Sequence, residues 1–391
     1  MSRDQTRRFF TVPSFVPDWG LPEFLITAGS LIAGRVVSGK SPGRFAAAVQ
    51  SELGVRFALP VNRARFGIQL GLQAMRVGQG DEVILPSYAC EVLLEPILNV
   101  GATPIFADTG PDLHLTAESV KRAITSKTKG VIVPHHYGNV APIDEIENLL
   151  LGTGIFLVDD AAQSFGARCA GRPVGTFGDF GVVGCGPAKS LGAAAGALLL
   201  TNDPELHQRV AALPLAPEKT ISVVRRVGAF WVWFRFRRYF LGFKTVSDTV
   251  LSRSADSGER PAMLSNLDAW LGVRQVRTWS RNAQRRRREA ATILKMLARS
   301  RPHCLTDLSD SCLALRIAII LPADGVGVES AIQTLSDAGI EARRGYEPLH
   351  NSSAHGGGDL ETTDSLARRV ILLPIAGRLT ARAQRALAAL G

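Results

Sequence analysis

The chain has 391 residues, enough to bury a sizeable core as one large two-layer enzyme unit or two medium domains. Hydrophobic residues at 46% and charged residues at 20% exclude a disordered tail or an acidic solvating protein. Lys+Arg 45 against Asp+Glu 35 leaves +10, a balance that favours anionic partners: nucleotides, anionic lipid surfaces or nucleic acid.

Residues 1–45 read as an N-terminal arm with one short helix packed on the body. The apolar run from Phe24 to Ala33 is too short to span a bilayer, and no convincing small-residue cleavage site follows it. From about residue 58 to 200, strand-like apolar runs alternate with amphipathic stretches. Glu82–Pro86, Thr103–Ala107, Gly130–Pro134 and Gly154–Asp159 read as buried strands. Helices are expected over Glu91–Leu98, from a Thr116 cap to Ile124, and from about Pro142 to Leu151. This alternation predicts an α/β fold, a mostly parallel sheet covered on both faces, in residues 46–214. Residues 215–260 are an aromatic and basic insertion, with five arginines, seven aromatics and no acid between 225 and 240. Such a segment suits either a domain or subunit interface or peripheral contact with a membrane surface. Residues 261–391 read as a smaller C-terminal α/β domain: a helix over Asn282–Leu297, strands at Ala314–Leu321 and Val370–Pro374, and helices from Gly327 to Ala338 and Thr380 to Leu390.

In parallel sheets ligands sit beyond the C-terminal strand ends, so the polar residues there carry the chemistry. Val158-Asp159-Asp160-Ala161-Ala162-Gln163 closes a buried strand, and Lys189 follows in Gly186-Pro187-Ala188-Lys189-Ser190-Leu191. A carboxylate and a lysine so placed suit pyridoxal phosphate: the lysine forms a Schiff base with the cofactor aldehyde, and the carboxylate keeps the pyridine nitrogen protonated. By themselves an aspartate and a lysine are equally a helix cap and a surface residue.

The surrounding motifs decide between these. Asp159-Asp160-Ala161-Ala162-Gln163 resembles the Glu-Asp-Ala-Ala-Gln motif of the DegT/DnrJ/StrS aminotransferases, the sugar aminotransferases of fold-type-I pyridoxal phosphate enzymes. Pro187-Ala188-Lys189-Ser190-Leu191 is similar to its Pro-Thr-Lys-Asn-Leu. Gly78–Val83 with Pro86-Ser87-Tyr88, Gly101–Asp108, Ser265–Ala269, Tyr346–His350 and Leu373-Pro374 follow in family order, so the resemblance covers about residues 45–391. It implies a fold-type-I transferase, a homodimer in the cytoplasm with pyridoxal 5'-phosphate. The reaction implied moves an amino group from glutamate or glutamine to a keto sugar, nucleotide-linked, for amino-sugar, polysaccharide or glycosylated-metabolite synthesis.

Carried over residue by residue, Lys189 would bind the cofactor and shuttle the proton, and Asp160 would pair with the pyridine nitrogen. Gln163 would approach the phenolic oxygen or ring, and Tyr88 or its neighbour the ring face. His135, Tyr346 and His350 are candidate substrate contacts. Six positions depart from the pattern. Gly184 stands where a phosphate-binding serine is usual, Ala64-Arg65 where Gly-Thr is usual, and Cys90 where an aromatic often stacks. Pro261 and Met263 replace the asparagine and arginine that the neighbouring subunit usually contributes. Arg65, at a helix N-terminus, is expected to supply the missing phosphate contacts. A related dehydratase would carry histidine at the lysine position, so Lys189 argues against one; a family member that has lost turnover is the other alternative. No third ligand accompanies His114, His135 and His136 at metal spacing. Neither interleaved aromatics nor a nucleic-acid motif accompanies Arg285–Arg288, which reads as a solvated helix face. Five cysteines with no CxxC pair fit a reducing compartment.

Overall fold

The computed structural model describes residues 12–14, 18–236, 260–297, 303–309, 312–352, 360–375 and 379–390; side chains are described to residue 232 in the helix that ends at 236. Of the aromatic and basic insertion, 237–259 lie outside the described residues, as do Arg3, Arg7 and Arg8 of the arm.

A nine-stranded sheet organises the larger part. Its order is Ala216–Pro217, Ala262–Met263, Phe57–Val61, Ala197–Thr201, Phe180–Gly184, Phe156–Asp160, Thr128–Pro134, Glu82–Pro86, Thr103–Ala107. The last five of these run parallel; Ala197–Thr201 is antiparallel to both of its neighbours. Phe156–Asp160, Phe180–Gly184 and Ala197–Thr201 are buried at every residue, as strands covered on both faces must be. The expected strands and helices of this region are present. Thr116 caps the helix Ala117–Ala123, its hydroxyl accepting from the Ser119 amide. The 91–98 stretch is a 3₁₀ turn, Glu91–Leu93, leading into Leu94–Asn99.

The second sheet is antiparallel, ordered His303–Cys304, Ile317–Ile320, Val370–Leu373, Arg343–Arg344, and is packed with helices Val328–Asp337 and Ala381–Ala388. The helix expected over 282–297 starts sixteen residues earlier and runs Asn266–Leu297, linking the two sheets' cores. Arg226 fastens helix Thr220–Phe236 to it by pairing with both Glu218 and Asp268. The arm holds two helices, Leu21–Ile32 and Ser41–Leu53; Phe45 and Val49 of the second are fully buried against the long helix.

In the aromatic segment, Val223, Val227 and Phe230 recur at helical spacing and are buried in the main core. Trp231 packs edge-on against Phe24 and its indole donates to Thr27. Among the described residues no helix is long and apolar enough to cross a membrane.

Candidate active site

Four parallel strands end on one side of the sheet, and helix Ala64–Ala74 begins there. Between them lies a cleft of about 440 Å³, counting its open mouth, lined by residues from each of these ends. Ala64, Arg65, Cys90, His135, Asp160, Gln163 and Lys189 of the expected set all line it.

Adjacent side chains on a strand point to opposite faces, which separates the two aspartates. Asp159 is turned away from the cleft and satisfied on all sides: its carboxylate accepts from the Gly175 and Phe177 amides and from His135 Nε2 at 2.9 Å. Asp160 faces the cleft, and its carboxylate accepts from the Ala162 amide at 3.0 Å. Burial raises its pKa above the ordinary carboxylate range, with the Lys189 charge opposing that rise. Lys189 sits in a tight turn after the neighbouring strand, its amide donating to Gly186 O at 3.1 Å.

Gln163 is held at both ends. Its Oε1 accepts from the Tyr137 amide at 3.2 Å and its Nε2 donates to Tyr346 Oη at 2.7 Å. Tyr346 therefore reaches the site through Gln163, from the smaller sheet's side. Tyr88 stands behind the cleft wall, fully buried, sharing a 2.8 Å hydrogen bond with Tyr137 and accepting from the Tyr346 amide. Burial holds both phenols neutral by raising their pKa values. Tyr137 has φ 59, a left-handed backbone uncommon for a bulky residue. Gly138 follows at φ 93, where a Cβ would stand 2.6 Å from the Leu315 amide nitrogen, so this loop touches the second sheet's domain backbone to backbone.

Other expected contacts sit one layer back. A side chain at Gly184 would lie 3.1 Å from the Ala162 Cβ; the glycine lets this strand press against the back of Ala162, itself a cleft residue. His350 shares a 2.6 Å hydrogen bond with Ser87 and lies 3.4 Å from Asp364, holding the turn before Tyr88. His135 lines the cleft, but Ala141 donates to its Nδ1 and its Nε2 proton goes to Asp159, so neither ring nitrogen is left for a ligand. His136 is different. It lines the cleft, is buried, and neither ring nitrogen has a hydrogen-bond partner among the described residues. Burial and the neighbouring His114 and His135 hold its pKa well below the ordinary histidine value, so it is neutral. The sequence showed the histidine pair; which of the two nitrogen sets stays available depends on a loop fold that residue types do not encode.

At the other end of the cleft, Arg65 Nε pairs with Glu95 at 2.9 Å and its guanidinium lies over the Phe66 ring. The Ala64 and Arg65 amides open the helix, with Arg63 as an extended N-cap residue that supplies no side-chain cap. Backbone donors are thus presented to the cleft with the positive end of the helix dipole behind them.

The profile of the DegT/DnrJ/EryC1/StrS aminotransferase family matches residues 27–390. This chain belongs to that family. A UDP-N-acetyl-3-dehydro-alpha-D-glucosamine 3-aminotransferase of Acidithiobacillus ferrooxidans is 38% identical over 148 residues, covering 37% of this chain and 40% of that protein. The match thus spans about two-fifths of that curated relative's length. Among solved structures, aminotransferase TlmJ from Streptoalloteichus hindustanus is similar over 97% of both chains, with TM-score 0.79 and 25% identity. An E. coli GDP-4-keto-6-deoxy-D-mannose-3-dehydratase with bound hydrated PLP shares the fold at 18% identity, TM-score 0.78, over 98% of this chain and 100% of that one. The family places the chain among fold-type-I α/β proteins, in agreement with the sheet order described above.

Proposed function

We propose that this family member is a pyridoxal-phosphate-dependent aminotransferase that moves an amino group from glutamate or glutamine to a keto sugar, nucleotide-linked, as a cytoplasmic homodimer. The observation that carries this reading is the meeting of Asp160 and Lys189 in one cleft at the ends of adjacent parallel strands.

The residues present fit the cofactor. A carboxylate as buried as Asp160 is costly in its charged form unless a cation stands beside it, and a protonated pyridine is such a cation. Asp160 would hold the proton on the ring nitrogen; Ala162 would face the ring, backed by Gly184; Gln163 is fixed to present its amide edge to the cleft. The helix start at Ala64-Arg65 would take the phosphate. Bound pyridoxal phosphate supplies an aldehyde that accepts the amino group and a ring that withdraws electrons from it.

The chain's own residues do the rest. Lys189 Nζ would give and take the substrate proton. The neutral phenols Tyr88 and Tyr137 support the wall without adding charge, and Tyr346 fixes Gln163. His136 offers an unengaged neutral imidazole to a sugar hydroxyl or to the donor. The net charge of +10 suits a diphosphate-bearing substrate. The expected membrane contact of residues 225–240 stays part of this proposal as an addition to catalysis.

Purified protein supplied with the cofactor should absorb in the visible, and an amino donor should bleach that band. A donor screen followed by a panel of keto-sugar nucleotides then identifies the substrate. Colourless protein after cofactor loading would favour a family member that has lost turnover.

A further inference from the structure

Helix Leu21–Ile32 is built inside out. The side chains it buries are Glu23, Thr27 and Ser30, each at 6% exposure or less. Its apolar Leu21, Phe24, Leu25, Leu31 and Ile32 are 45–88% exposed. A surface helix ordinarily shows the reverse arrangement, because apolar burial is what holds it to the protein. Here polar contacts do the holding. Glu23 lies 3.4 Å from both Arg274 and Gln275 of the long helix and caps its own helix through the Gly20 amide, and Thr27 accepts from Trp231. Contiguous apolar surface of this kind marks an interaction site rather than a scatter of exposed residues.

Charge says what covers it. Arg277 and Arg281 lie one and two turns beyond Arg274 on the long helix, both exposed and without an ion pair among the described residues. The exposed face of helix 21–32 carries no carboxylate, its single acid, Glu23, being buried. An apolar stripe on a helix that packs against an element bearing exposed arginines complements a lipid surface with anionic headgroups. It does not complement a second copy of itself, which would bring no acid to meet the arginines. We infer that helix 21–32 is a membrane-contacting surface, inserting its apolar stripe at the headgroup boundary of an anionic bilayer while Arg277 and Arg281 meet the headgroups. The segment expected to make such a contact adjoins this helix: of its described side chains Phe230 is buried and Trp231 is braced against Trp19 and Phe24, while Arg225 and Val232 are exposed.

The test is flotation of the full-length, cofactor-supplied protein with vesicles of phosphatidylcholine alone and with about one-third phosphatidylglycerol added. The protein should float with the anionic vesicles at low salt and less at high salt. Leu21→Ser/Phe24→Ser/Leu25→Ser should reduce bound protein more than about tenfold, with its mass in solution unchanged. Arg277→Glu/Arg281→Glu should remove the preference for anionic lipid. Ile32→Asp, at the most exposed position, should weaken binding and serves where the triple variant fails to fold. Wild-type protein left unbound by anionic vesicles would overturn the inference. So would a triple variant that floats undiminished, which would assign the contact to residues 225–240. A triple variant whose oligomeric mass falls would assign the face to a second copy instead.

Discussion

The two ends of the cleft differ in how they are built. At the ring end, Asp160, Gln163 and Lys189 stand on strand ends, each fixed by backbone or side-chain hydrogen bonds, and match the family motifs residue for residue. At the phosphate end, serine, threonine and asparagine positions have become Gly184, Arg65 and Pro261, and Arg65 is tied to Glu95. In the proposed reaction the ring end would do proton chemistry, which tolerates little displacement. The phosphate end would hold an anion, a task that helix amides and any well-placed cation can share.

If that division is right, substitutions at the ring end should abolish rate and those at the phosphate end should weaken affinity. Asp160→Asn should lower the rate of amino-group transfer by about two orders of magnitude or more with the fold intact, since the neutral amide does not hold the ring proton. Its neighbour should behave oppositely. Asp159→Asn replaces one of the two accepting oxygens by an amide NH2, so either His135 or the Gly175 and Phe177 amides lose their acceptor and the protein should lose roughly 2–4 kcal/mol of stability in denaturant titration. A rate loss without destabilisation in Asp159→Asn would exchange the roles of the two aspartates.

At the phosphate end, Arg65→Ala should weaken cofactor affinity roughly ten- to a hundredfold, measured by titrating the cofactor-free protein, with turnover at saturation little changed. Glu95→Gln, by releasing the guanidinium, should tighten affinity a few fold. Unchanged affinity in Arg65→Ala would leave the anion to the helix amides alone.

The smallest expected effect concerns pH. His136 is held neutral when folded and protonates normally when unfolded, so its burial costs stability as pH falls below about 6.5 and nothing above it. His136→Phe should therefore flatten the fall in melting temperature on acidification. Equal slopes in both proteins would show that the imidazole is free to charge in place.

Elements with strong local signals were legible in the sequence. Buried strands such as Phe156–Asp160 announce themselves as short apolar runs, and Thr116 as a cap. The long helix was half read, because arginines at 274, 277 and 281 interrupt the apolar pattern that Leu267, Leu271 and Val276 continue underneath. At the site, motif order singled out Asp160 and Lys189, which line one cleft. It did not reveal that His135 is fully engaged and His136 unengaged, or that Tyr346 acts through Gln163, since those depend on contacts between loops distant in sequence. The inverted first helix was equally hidden: its apolar run reads as a packed helix until the burial of Glu23, Thr27 and Ser30 is seen.

The proposed chemistry depends above all on Lys189. Borohydride treatment of cofactor-loaded protein, followed by peptide mapping, should find the reduced cofactor on the peptide containing Lys189, and Lys189→Ala should retain no reducible cofactor and no amino-group transfer. Reduced cofactor on a different lysine, or on none, would contradict the assignment of this cleft as the catalytic centre.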